Sequence, residues 1–195
     1  IRRSLFAAAA IALAVDAVSP RAQVRPAQFI VPPLSDVSGD VAVGLAIRKL
    51  GTVGTFMHTT AHPDDEHGGM LAMMSRGVGA RVALLTLTRG ESGDNAIGSE
   101  LFDALGLIRT EELLVSDRYY GVDRQYFTSA VDFGFSKRLD ETLDKWGREQ
   151  VLREMRGVER EALAAGGDWL FLRFPRLLRG DDAAFGERGQ HAISR

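Results

Sequence analysis

The sequence predicts an α/β domain built on a mainly parallel sheet with helices on both faces. Three observations carry that prediction. Val53 to Thr60 reads as a strand, Glu66 to Arg76 as a helix and Arg81 to Thr88 (RVALLTLT) as a β-rich apolar run, which makes a βαβ unit. Two further helical stretches follow, and Trp169 to Phe174 (WLFLRF) closes the pattern as another buried strand. The composition, 45% hydrophobic and 26% charged over 195 residues, suits one ordinary globular domain.

In chain order, the first segment belongs to another class. Arg2 and Arg3 precede the apolar run Leu5 to Val15, and small residues follow at Ala17, Ser19 and Ala22. That is the layout of a secretory signal peptide, with a weaker twin-arginine reading and a buried Ala-rich helix as the alternative. Eleven apolar residues fall short of the about 20 that a membrane-spanning helix needs. Four of the six prolines then lie between Ser19 and Asp36. Proline disfavours regular helix, so the sequence divides into a signal peptide over 1–22, a Pro-rich linker over 23–40 and a folded domain over 41–195. A secreted or periplasmic location follows.

Within the domain, Glu100 to Ser116 reads as a helix capped by Ser99, with Leu101, Leu105, Ile108 and Leu113 near helical spacing. Ser136 to Ala165 reads as one long helix with charge pairs on its outer face.

Charge and cysteine content exclude several functions. With 24 Lys+Arg against 26 Asp+Glu the net charge is −2, and no run of five like charges occurs, so nucleic acid is a poor partner. The absence of Cys excludes a disulfide framework, a thiolate metal site and a Cys nucleophile. Any metal must be held by carboxylates and by the four histidines, His58, His62, His67 and His191.

Ligand crevices in open α/β sheets lie beyond the carboxyl ends of the strands. Directly after the first strand of the βαβ unit comes Ala61-His62-Pro63-Asp64-Asp65-Glu66, then Gly68-Gly69. One imidazole and two carboxylates within four residues offer nitrogen and oxygen ligands for zinc, with one carboxylate left over. That carboxylate can take a proton from a metal-activated water. Alternatively, Asp64 and Asp65 only favour the N-terminus of the following helix. A phosphate-binding loop is unlike this segment, which lacks the G-x-G-x-x-G and G-K-[ST] patterns and presents carboxylates where an anion would be repelled.

The AHPDDE segment resembles the signature of the PIG-L/LmbE-like family of zinc-dependent deacetylases, which act on N-acetylglucosaminyl conjugates and related amides. Two later segments agree in order. Thr86 to Gly93 (TLTRGESG) is similar to the family's loop after the second strand, and Ile108 to Leu113 (IRTEEL) resembles its R-x-x-E-L helix. The stretch from Val131 to Ser136, and on to Trp146-Gly147, is similar to an exported bacterial branch. The resemblance implies a Rossmann-like form of the sheet, a bound Zn2+, and a small-molecule or glycan substrate carrying an N-acetyl group.

It further implies His62 and Asp65 as zinc ligands and Asp64 as the general base. Arg109 matches the position that contacts substrate hydroxyls, and Asp94 sits where an acidic residue often helps. Arg89 reads as lining its loop, His58 as a packed core histidine and His67 as lying outside the ligand set. The family draws its third ligand from the second His of an H-x-x-H motif. Arg188-Gly189-Gln190-His191 occupies that place, so His191 is the expected ligand and Arg188 stands where the first His belongs. An Arg can stabilise an oxyanion but cannot donate its proton at neutral pH. The chain stops four residues after His191, which implies a domain lacking its C-terminal part. Two functions follow: an exported zinc-dependent deacetylase, or a catalytically silent homologue that binds zinc or a glycan without turnover.

Overall fold

The computed structural model describes residues 26–34 and 38–164, together with the backbone of 169–172. Five strands form one sheet in the order β1-β4-β3-β2-β5. They are β1 (Ala27–Ile30), β2 (Thr55–Thr60), β3 (Arg81–Thr86), β4 (Arg124–Phe127) and β5 (Trp169–Leu172). β2 to β5 run parallel and β1 pairs antiparallel with β4, so the sheet is mainly parallel, as the alternation of strands and helices predicts.

Both faces are covered. Every residue of β2 is buried, and alternate side chains enter two separate cores. Phe56, Val82, Leu84 and Phe127 pack with Leu71 and Leu113 on one face. Met57, Ala83, Leu85 and Tyr126 pack with Val151, Met155 and Val158 on the other. The first face is covered by α2 (Gly68–Ala72), its π-helical continuation Met73–Val78, and α3 (Asp103–Tyr120). The second is covered by α4 (Leu139–Trp146) and α5 (Arg148–Ala164). A peripheral helix, α1 (Gly39–Leu50), buries no residue of its own and is tied down by Arg48 donating to the Arg76 carbonyl and by Lys49 pairing with Asp123.

Several expectations are corrected. Part of the segment read as a Pro-rich linker is strand β1, where Phe29 packs edge-on against Phe127 at a centroid distance of 6.0 Å. Four residues suffice because β4 supplies their hydrogen-bonding partners. The expected single helix over 136–165 is two, broken at Gly147, whose φ of 70° no continuing helix can adopt. Ser99 caps nothing: α3 begins at Asp103 behind Phe102 and has no side-chain cap. The expected apolar stripe on α3 is only half right, since Leu105 and Leu113 are buried while Leu101 and Ile108 are exposed. The buried face also uses Gly106 and Thr110, small residues that let the helix approach closely; a Cβ on Gly106 would stand 2.9 Å from the Glu91 side chain.

The chain passes from β2 through β3 to β4 on one side, then returns to place β5 on the opposite side of β2. The carboxyl end of β2 therefore borders the switch point where ligands enter such sheets. Residues 61–67 emerge there.

Candidate functional site

The loop after β2 is anchored before it becomes reactive. Leu87 and Thr88 extend the ladder beyond the strands by donating their amides to Thr60 and Ala61, and the Thr88 hydroxyl donates to the Ala61 carbonyl as well. Beyond that point His62 and Asp65 come together: His62 Nδ1 stands 3.2 Å from Asp65 Oδ2, which also accepts the His62 amide at 2.9 Å. Both side chains are about one-third exposed, His62 at 34% and Asp65 at 39%, so the pair is reachable.

Asp64, one residue earlier, has other partners. Its backbone has a φ of 98°, a conformation that L side chains rarely adopt. Its carboxylate accepts from Arg109 at 2.8 Å, and its amide donates to Glu66 Oε2 at 2.8 Å. Adjacent aspartates thus serve different partners, one bonded to the imidazole and the other bonded to Arg109 and 74% exposed.

A third carboxylate completes the cluster. Asp132, buried in the loop after β4, lies 3.6 Å from His62 Nε2 and is fixed by accepting the Ser92 and Gly134 amides. The His62 and Trp146 rings meet edge to face with their centroids 6.1 Å apart. This environment sets the ionisation. The bond to Asp65 raises the His62 pKa above its ordinary value; burial opposes the shift, while the charges of Asp132, Asp65 and Asp64 reinforce it. The same bond lowers the pKa of Asp65.

The loop after β3 is the support. Glu91 is buried, and its Oε2 accepts the amides of Arg89 and Asp132 at 3.1 and 3.0 Å, which joins the loops after β3 and β4. The Arg89 guanidinium lies 4.2 Å above the Phe127 ring and donates to Thr110, in keeping with a lining role; burial lowers its pKa against the raising effect of Glu91. His58 is buried in β2 and accepts the His67 amide, while the His67 ring caps α2 by accepting from Met70. Both therefore act as structural histidines.

The sequence-predicted residues are brought together in part. His62, Asp64, Asp65 and Arg109 form one cluster, whereas Asp94 is exposed and makes no hydrogen bond or ion pair with that cluster among the described residues. Arg188 and His191 lie outside the described residues. Among the described residues no group of three or more His, Asp or Glu stands ready to hold a metal; His62 and Asp65 are a pair. Sequence reasoning missed Asp132 because β4 itself was missed. Recognising that strand would have marked the following loop as a carboxyl-end loop, where an acidic residue is a candidate.

A parallel sheet whose switch point presents an imidazole–carboxylate pair, with a second aspartate bonded to an arginine, defines an α/β protein of the carboxyl-end-site class. Comparison makes this specific. The family profile described as PIG-L: GlcNAc-PI de-N-acetylase matches residues 57–164, and the chain belongs to that family. A 1D-myo-inositol 2-acetamido-2-deoxy-alpha-D-glucopyranoside deacetylase from Kineococcus radiotolerans is 36% identical over 115 residues, 55% of this chain and 32% of the relative. The match thus spans about a third of that relative's length. Among solved structures, N,N'-diacetylchitobiose deacetylase from Pyrococcus horikoshii, complexed with its inhibitor MPG, aligns with a TM-score of 0.46 at 20% identity. That alignment covers 82% of this chain and 59% of the other.

Proposed function

We propose that this chain is a metal-dependent amide hydrolase that removes an acetyl group from an N-acetylglucosaminyl conjugate or a similar amide. The observation that carries the reading is that the two aspartates have different partners: Asp65 is bonded to His62, whereas Asp64 is bonded to Arg109 and its carboxylate is accessible. One aspartate can then serve as a ligand while its neighbour serves as a base. Family membership and the deacetylase relative support the reaction class.

The donor set fits zinc. An imidazole nitrogen and a carboxylate oxygen 3.2 Å apart, in a chain without thiolates, suit a borderline cation that binds nitrogen and oxygen in tetrahedral sites. His62 and Asp65 would hold it, with His191 as the expected third ligand. Bound zinc would acidify a water to a pKa of about 7. The chain's own residues then divide the remaining work. Asp64 accepts the proton of the attacking water at its carboxylate, and Arg109 orients that carboxylate. Asp132 faces the far side of the His62 ring, where a carboxylate fixes tautomer and orientation. Neutral His62 is the ligand form, so metal uptake competes with protonation of His62, which the bond to Asp65 favours.

A second reading, binding without efficient turnover, is favoured by Arg188, which cannot supply a proton to the departing amine. The Arg2-Arg3 and Leu5 to Val15 layout supports export from the cytoplasm. Among the described residues no helix is long and apolar enough to cross a membrane.

The test is acetate release from an N-acetylglucosamine conjugate before chelation, after chelation and after zinc is restored. The hydrolase reading expects release that is lost and regained with the metal. Stoichiometric zinc binding without release supports the second reading, and absence of both removes the proposal.

A further inference from the structure

We propose that Phe135 is the platform of a carbohydrate subsite beside the catalytic cluster, where its phenyl ring stacks under the apolar face of a second sugar ring of the substrate. The proposal rests on the reading of this chain as a deacetylase of an N-acetylglucosaminyl conjugate. It names what that conjugate carries beyond the acetamido sugar.

The loop after β4 treats two identical side chains in opposite ways. Phe133 is partly buried and packs against Trp146, with ring centroids 6.4 Å apart. Phe135, two residues on, is 85% exposed. In an extended segment residues two apart share a face, which would leave the two rings together. Gly134 prevents this, because its φ of 92° turns the chain between them. The residues flanking Phe135 are tied down. Gly134 donates its amide to Asp132 Oδ1 at 3.0 Å, and the Ser136 hydroxyl donates to Glu141 Oε2 at 2.8 Å while accepting the Arg138 amide at 3.0 Å. The ring is therefore displayed on a closed turn, and a ligand that covers it has little backbone freedom to remove.

Position joins the ring to the site, and exposure selects the ligand. Asp132 lies 3.6 Å from His62 Nε2. Phe135 follows Asp132 so closely in the chain that their Cα atoms are no more than about 11 Å apart. A disaccharide whose first ring occupies the cluster covers that span. A phenyl ring open to water offers a single apolar layer, so whatever covers it keeps its own far side wet. An alkyl chain or an apolar protein segment would leave most of its apolar surface in water there. A pyranose ring suits the platform, because its face presents C–H groups to the aromatic ring while its rim presents hydroxyls to water. Lys137 and Arg138 follow directly in the sequence and disfavour a cationic ligand over the ring.

Binding, rather than turnover, separates this subsite from the hydrolase reading. The probes are N-acetylglucosamine and its β-1,4-linked dimer, titrated by NMR into the zinc-loaded full chain carrying Asp64→Asn, so that neither sugar is consumed. The dimer is expected to bind about tenfold more tightly than the monomer, the scale of covering one phenyl face. Adding Phe135→Ala is expected to remove that advantage and to leave the monomer's Kd within about twofold, whereas Phe135→Trp keeps the advantage. An exposed position tolerates both substitutions without unfolding. Equal affinity for monomer and dimer before Phe135 is changed, or a loss in Phe135→Ala shared equally by both sugars, would overturn the subsite and leave the hydrolase reading standing. Binding of neither sugar overturns both. A protein dimer that Phe135→Ala dissociates would assign the ring to a second copy of this chain and overturn the subsite as well.

Discussion

The loops after β2 and β3 leave neighbouring strands side by side, yet they are built in opposite ways. The first keeps its polar groups in the open: His62, Asp64 and Asp65 are all at least one-third exposed, and Asp64 sits in a strained backbone conformation. The second sinks its polar groups into the fold. Thr88 and Glu91 are buried, the Arg89 guanidinium is stacked over Phe127, and its glycines make room for an arginine from α3. Strain and exposure in one loop are tolerable because the other is over-determined by hydrogen bonds. Loss of a polar group from the first should therefore appear as lost chemistry in a folded protein, and loss of a buried polar group from the second as lost stability.

The largest expected effect breaks the first loop. His62→Ala or Asp65→Ala removes half of the described ligand pair, so elemental analysis should find metal content close to zero and activity abolished, with far-UV circular dichroism preserved. Undiminished zinc in both variants would remove the ligand assignment.

A smaller effect is expected from the supporting loop. Glu91→Ala leaves the amides of Arg89 and Asp132 without their carboxylate partner and opens a gap beside Gly106. Each unpaired buried amide costs about 1–3 kcal/mol, so denaturant unfolding should show a loss of about 2–4 kcal/mol. Loss of activity at unchanged stability would erase the contrast between the two loops.

The smallest effect sharpens the comparison by leaving the site altogether. Asp117, on the α3 face opposite the solvent, is fully buried with neither carboxylate oxygen hydrogen-bonded, and burial, assisted by the charge of Glu66, raises its pKa to about 8. A carboxyl whose folded pKa lies above its unfolded value of 3.8 keeps its full stability below that value. It loses stability as pH rises towards about 8. Asp117→Asn should therefore raise Tm by several degrees at pH 8 and by little at pH 4, as followed by thermal melts across that range. An equal change at both ends would mean that Asp117 does not titrate in this window.

Much of the framework was legible because its signals are local. β3 carries a continuous apolar run from Val82 to Leu85, β2 is rich in Thr and aromatic residues that favour strands, and the AHPDDE segment concentrates its chemistry in six adjacent residues. What escaped depends on partners distant in sequence. β4 reads Arg-Gln-Tyr-Phe, and its Gln125 looks polar until Thr86 is seen accepting its amide inside the sheet. β1 is only four residues after a proline and exists through β4. The Asp132 contact with Ser92 and the Arg109 contact with Pro63 join segments 40 or more residues apart, which no spacing rule reaches. The break at Gly147 was visible as a glycine, but helical propensity on both sides concealed it.

The division of labour between Asp64 and Asp65 is the central claim, and Asp64→Asn tests it most directly. Zinc content and acetate release should be measured on the same preparation. Retained zinc with release reduced about 10²–10⁴-fold is the expected result, since a general base contributes in that range while the ligand pair is untouched. Zinc and activity disappearing together would contradict the account and exchange the roles of the two aspartates.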